Sequence, residues 1–160
     1  MKAVFLDVDG VLNYSGCKAR FGEYLGVEDE CVVKLSEIVH SCSPPAAIVL
    51  TSSWKELWDH HPINSREIDP MARYLVGKLK KQGLHLNDRT DEKNPMQRGM
   101  GIKGWLRKVG SDIDSWVVLD DEVFPDYEER GIMDHLVKTS FGVGLSDTDV
   151  EKAIKILRGE

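Results

Sequence analysis

The sequence predicts an α/β fold: an open parallel sheet with helices on both faces. Two observations carry that prediction. Short continuous apolar runs occupy residues 3–6, 46–50 and 116–119, a pattern that suits strands buried on both faces. Segments with helical apolar spacing alternate with these runs, and that alternation is the pattern of helices packed on a parallel sheet.

The elements follow in order. The first run ends in Asp7-Val8-Asp9-Gly10. Val27, Cys31, Leu35, Ile38 and Cys42 keep near-helical spacing, with Glu28, Asp29 and Glu30 where a helix start favours negative charge. Ser43-Pro44-Pro45 stops that helix. The second run ends in Thr51-Ser52-Ser53. Met71, Leu75 and Leu79 mark another helix, closed by Gly83, and residues 84–86 suit a brief strand. Residues 87–99 are polar, carry Asn94-Pro95, and read as a loop. A short helix is expected over 102–109, ended by Gly110. The third run ends in Asp120-Asp121, and residues 136–139 suit a fourth core strand. Ser146 with Asp149 forms an N-terminal capping pattern. Val150, Ala153, Ile154 and Leu157 then give an amphipathic helix.

A chain of 160 residues fits a single domain, 1–160, long enough to bury a core without disulfide or structural metal. With 41% hydrophobic and 30% charged residues, disorder is excluded. The net charge of −6 argues against a broad cationic nucleic-acid surface, leaving only a local basic pocket. Cys17, Cys31 and Cys42 are odd in number and lack close spacing, so reduced thiols in a cytoplasmic protein are expected. No apolar run reaches the length of a signal-peptide core or a membrane span.

Each of the three runs ends in polar residues, and in open parallel sheets ligands bind beyond the carboxyl ends of the strands. If the runs are neighbours, Asp7, Asp9, Asp120 and Asp121 meet in one small volume. Like charges there repel and raise one another's pKa unless a cation neutralises them. A hard divalent ion with oxygen ligands, Mg²⁺ above all, is the simplest compensation. Asp7 and Asp9, two apart on an extended segment, project to one side. One can then attack an electrophile while the other handles a proton. Gly10 lets the backbone turn away. A calcium-binding EF-hand loop is excluded, because it places the glycine later and a helix in front.

The stretch Phe5-Leu6-Asp7-Val8-Asp9-Gly10-Val11-Leu12-Asn13 resembles the first motif of the haloacid dehalogenase (HAD) superfamily of phosphotransferases. Ile48-Val49-Leu50-Thr51 resembles its second motif, Lys103 its third, and Val117-Val118-Leu119-Asp120-Asp121 its fourth. The first motif is specific, and four in order are stronger than any one. The resemblance implies a Rossmann-like HAD fold and a Mg²⁺-dependent phosphomonoesterase working through an aspartyl-phosphate. By that analogy Asp7 attacks phosphorus, and Asp9 protonates the leaving oxygen and then activates water. The ion is held by Asp7, the Asp9 carbonyl, Asp120 and Asp121. Thr51 binds a phosphoryl oxygen and Lys103 neutralises charge; Ser52 or Ser53 is the alternative to Thr51, and Arg98 the alternative to Lys103. The spacings between motifs leave no room for a sizeable cap. An open site suits a phosphate at a polymer end or on a protein. The Asp-Val-Asp-Gly-Val-Leu-Asn and Thr-Ser-Ser-Trp pair also looks like the small HAD domains of RNA-repair proteins.

Two rival readings stand beside this one. Gly99-Met100-Gly101-Ile102-Lys103-Gly104 fits the dinucleotide fingerprint G-x-G-x-x-G, but a polar, proline-interrupted stretch precedes it where that fingerprint needs a strand. A non-catalytic HAD-like module that binds Mg²⁺ or a partner would be expected to lack Asp7 or Asp9, and both are present. His60-His61 read as loop histidines, and Lys78, Lys80 and Lys81 as a solvated helix face. The four tryptophans read as core, with Trp54 set apart by its place just past Thr51. Asp126 is a further candidate for the metal shell. Oligomeric state, and water against another phosphate acceptor, are left open.

Overall fold

The computed structural model of the chain describes residues 1–58 and 69–160. In chain order the elements are β1 (Lys2–Leu6), a hairpin of β2 (Arg20–Phe21) and β3 (Tyr24–Leu25), α1 (Asp29–His40), β4 (Ala47–Leu50), α2 (Pro70–Lys80), β5 (Asp88–Arg89), α3 (Arg98–Val109), β6 (Ser115–Asp120), β7 (Leu136–Lys138) and α4 (Asp147–Arg158). Five strands form one sheet in the order β5-β4-β1-β6-β7, and every pairing in it is parallel. This is the Rossmann-like α/β sheet the apolar runs predict, and among the described residues no sizeable cap is inserted into it.

Burial on both faces explains the continuous apolar runs. Along β1, Val4 and Leu6 point into a core shared with α1, α2 and α4. Ala3 and Phe5 point into a second core built on α3 and the segment after β6. Phe5 meets the rings of Trp105 and Trp116 edge-on, at 5.4 and 5.9 Å. Each such buried side chain contributes about 1.5–3 kcal/mol, which fixes β1 at the centre of the sheet. At α4 the Ser146 side chain accepts from the Asp149 amide while the Asp149 carboxylate accepts from the Ser146 amide, completing the expected cap.

Register then positions the site. Leu6 stands level with Leu50 on one side and with Leu119 on the other. The Asp7 amide donates to the Leu119 carbonyl at 3.0 Å, and the Thr51 amide to the Leu6 carbonyl at 2.9 Å. The polar ends of the three runs therefore emerge on one rim.

Two elements differ from expectation. The strand at the β4 edge is β5, paired through Asp88 and Arg89, and not residues 84–86. Leu84 and Leu86 are buried against the core, while the backbone pairing falls on polar residues whose composition reads as loop. Helix α3 begins at Arg98 and not at Ile102: the Asp126 carboxylate accepts from its first amides, while the poor helix formers Gly99 and Gly101 inside it hide that start in the sequence. Cys17, Cys31 and Cys42 are free and buried. Among the described residues no helix is long and apolar enough to cross a membrane. His60 and His61 lie outside the described residues.

Candidate active site

Asp7, Asp120 and Asp121 come together at the rim, with one carboxylate oxygen of each within 4.8 Å of the others. Asp7 follows β1, Asp120 closes β6, and Asp121 starts the next turn. Gly10 makes the approach possible. Its φ is +81°, and a β-carbon there would run into the Asp121 carboxylate.

The electrostatics of this cluster are those of a cation site. Burial, followed by the charge of Asp120, pushes the Asp7 carboxyl well above the usual carboxylate range; Arg98 opposes this and Asp121 adds to it. Asp121 is pushed up in the same way by burial, Asp120 and Glu122. Asp120 is fully buried and heavily bonded. Its Oδ2 accepts from Arg98 Nη1 at 2.8 Å and from the Tyr127 hydroxyl at 2.9 Å, and its Oδ1 accepts from the Glu122 amide at 3.0 Å. Arg98 Nη1 also lies 3.3 Å from Asp7 Oδ1, and its guanidinium covers the Phe124 ring at 4.1 Å. Burial works against the Arg98 charge, but Asp7 and Asp120 outweigh it and raise its pKa. Three acids against one buried arginine leave an excess of negative charge. An all-oxygen donor set beside a recess that leaves room for water ligands fits Mg²⁺.

Asp9 has a different setting. Its Oδ1 accepts from Asn13 Nδ2 at 2.8 Å and its Oδ2 from Trp54 Nε1 at 3.3 Å. The side chain is held apart from the three-carboxylate cluster while its carboxylate still faces the same recess. Fully buried Asn13 fixes this loop, accepting from the Gly10 amide and donating to the Gly26 carbonyl.

The hydroxyls at the end of β4 are distinguished by their partners. Ser52 Oγ accepts from the Trp54 amide and caps the turn Ser53–Leu57, whereas Ser53 is exposed. Thr51 is 1% exposed, and its Oγ1 has no hydrogen-bond partner. A buried hydroxyl left unpaired costs about 1–3 kcal/mol, so it marks a place prepared for a ligand atom.

Lys103 is not at the rim. Its ammonium lies 5.5 Å from the centre of the Trp116 ring, in a groove with Arg107 and Glu129. With α3 starting at Arg98, five residues turn Lys103 about 140° round the helix from Arg98. The basic group beside Asp7 is therefore Arg98. Asp126 is also elsewhere: its carboxylate accepts from the Gly99 and Met100 amides at 3.0 and 2.8 Å and caps α3. The G-x-G-x-x-G stretch thus lies within a helix whose amide end an internal acid already fills, so a pyrophosphate has no place there.

Sequence reasoning missed Tyr127, Asn13 as a loop anchor, and the buried pair of Lys55 and Glu92 at 2.6 Å. Lys55, Thr51 and Arg98 share a cleft of about 630 Å³ on the β5 side of the rim. Only the Asn13 position had a signal, as the last residue of the first motif.

The family model described as the HAD domain in Swiss Army Knife RNA repair proteins matches residues 3–150. No curated protein and no solved structure matches the chain.

Proposed function

The chain belongs to the family of HAD domains found in Swiss Army Knife RNA repair proteins, and on that premise we propose that it is a Mg²⁺-dependent phosphomonoesterase acting through Asp7. The observation that carries the reading is the meeting of three carboxylates with the unpartnered Thr51 hydroxyl at one rim. Asp7, Asp120 and Asp121 would hold the ion, together with the Asp9 carbonyl. When bound, Mg²⁺ supplies positive charge that lets the anionic nucleophile and phosphate approach.

The chain's own residues supply the rest. An Asp7 carboxylate oxygen forms a bond to phosphorus as the bond to the leaving oxygen breaks, and Asp9 gives that oxygen a proton. Asp9, now ionised, takes a proton from water. The water oxygen bonds to phosphorus, the Asp7–phosphorus bond breaks, and inorganic phosphate leaves. Trp54 and Asn13 support this role by fixing the Asp9 carboxylate. Thr51 Oγ1 donates to a phosphoryl oxygen, and Arg98 offsets the charge shared by Asp7 and the phosphate. Both Asp7 and Asp9 are in place, which favours catalysis over a binding-only module.

The substrate we propose is a phosphate at a nucleic-acid end. That no sizeable cap is inserted among the described residues supports it, as does the family's description. With a net charge of −6, the protein would grip the terminal phosphate and not the length of the backbone. The test is Mg²⁺-dependent hydrolysis of p-nitrophenyl phosphate, then of 3′- and 5′-phosphorylated oligonucleotides against sugar phosphates and phosphopeptides. Asp7→Asn should fall to background. Full activity in that variant would overturn covalent catalysis.

A further inference from the structure

Two openings lead to the acidic rim. In the wall of the larger one, on the β5 side, the cations Lys55 and Arg89 already have partners. Lys55 is paired with Glu92, and Arg89 donates to the carbonyls of Lys55 and Trp58 at 2.6 and 2.8 Å. The other is a recess of about 400 Å³ on the β6 side, with Asp7, Asp9, Asp121, Glu122 and Phe141 in its wall; the two openings meet at Ser53 and Arg98. Asp7 and Asp9 line this second opening and not the first. A leaving group that takes its proton from Asp9 must therefore depart through it.

Phe141 stands in the wall of this recess, and 44% of its surface is exposed. It is a large apolar side chain in a wall that also holds four acids, Asp7, Asp9, Asp121 and Glu122. Its backbone is firmly held. The Ser15 amide donates to the Phe141 carbonyl at 2.8 Å, and the Gly144 amide closes the turn onto the Ser140 carbonyl at 2.7 Å. The Thr139 hydroxyl donates to the Gly10 carbonyl at 2.7 Å, tying this turn to the loop that carries Asp9. The backbone that carries the ring is thus held relative to the proposed proton donor, and only the two side-chain torsions of Phe141 remain to be ordered when a flat group stacks on it.

We propose that Phe141 is a specificity residue, a stacking platform for a planar ring on the leaving group of the phosphate ester. This rests on the phosphatase reading and adds to it the chemical class of the leaving group. The ring carries no negative charge, because Asp9, Asp121 and Glu122 around the recess repel a second anion. An aryl group and a nucleobase share this chemistry.

The test compares wild type, Phe141→Ala and Phe141→Tyr, all with Mg²⁺. Two substrate pairs differ in the ring: phenyl phosphate against glycerol 2-phosphate, and adenosine 5′-monophosphate against ribose 5-phosphate. Stacking on an aromatic side chain predicts a rise in KM of about five-fold to somewhat over a hundred-fold for the ring-bearing member in Phe141→Ala. The ringless member should change less than about two-fold, and Phe141→Tyr should restore the preference. Selective loss with phenyl phosphate alone assigns the platform to aryl groups, and loss with the nucleotide assigns it to bases. Equal losses within both pairs, or none, overturn the proposal while leaving the phosphatase reading standing. If wild type turns over neither these esters nor a 3′- or 5′-phosphorylated oligonucleotide, the phosphatase reading fails separately. Calorimetric binding of phenylphosphonate against methylphosphonate to the same three proteins then decides the platform. A preference in wild type and Phe141→Tyr that Phe141→Ala loses supports it; equal affinities in wild type refute it.

Discussion

Arg98→Met tests how the rim is held together. Arg98 is 8% exposed, lies 2.8 Å from Asp120 and 3.3 Å from Asp7, and is covered by Phe124. Removing one partner of a buried ion pair leaves the other charge uncompensated, at a cost of about 3–5 kcal/mol. Methionine keeps much of the apolar contact with Phe124, so the loss is chiefly electrostatic. In EDTA at neutral pH the variant should lose about that much in urea unfolding, and about 6–20 °C in thermal midpoint for a chain of this size. Saturating Mg²⁺ should narrow the gap. The ion supplies the missing charge, and the variant no longer has a cation competing for the same oxygens. Each tenfold gain in Mg²⁺ affinity would recover about 1.4 kcal/mol. A gap of equal size in EDTA and in Mg²⁺ would refute the claim that Arg98 and the ion answer the same negative charge.

Thr51→Val removes a hydroxyl that has no protein partner. Stability should stay level or rise by up to about 1 kcal/mol in urea titration, while phosphatase activity falls at least about tenfold. Lys103→Ala should leave kcat/KM on p-nitrophenyl phosphate within about two-fold of wild type; a loss of about a hundred-fold or more would put the basic role back at Lys103. The pH dependence has a definite sign. Because the folded-state values of Asp7 and Asp121 lie above those of the unfolded chain, the folded protein binds more protons between the two, and stability falls as pH rises through that window. In EDTA, Asp7→Asn should therefore gain on wild type in thermal midpoint as pH climbs from about 4. A variant that loses ground as pH climbs would reverse the reading of the cluster.

The sheet was legible because burial on both faces leaves uninterrupted apolar runs, and the rim because each run stops at a polar residue. Asp7, Thr51 and Asp120 follow from that pattern without knowledge of any side-chain contact. What escaped the sequence is what depends on helix phase and on edges. Arg98 and Lys103 sit in one polar, glycine-rich stretch, and only the true start of α3 decides which of them faces Asp7. The β5 strand carries no apolar signature, since it pairs at the border of the sheet with polar side chains. Tyr127 arrives at Asp120 from an irregular segment, and nothing periodic announces it.

Asp126 fastens the turn after β6 onto the first amides of α3, and Arg98 opens that same helix. Asp121 and Arg98, the acidic and basic walls of the rim, are therefore moored to each other and shift as one body. Across the recess stands the Ser53–Leu57 turn, whose Trp54 donates to the Asp9 carboxylate. A displacement of that turn would therefore carry the Asp9 side chain with it, while the Asp121–Arg98 side stays put.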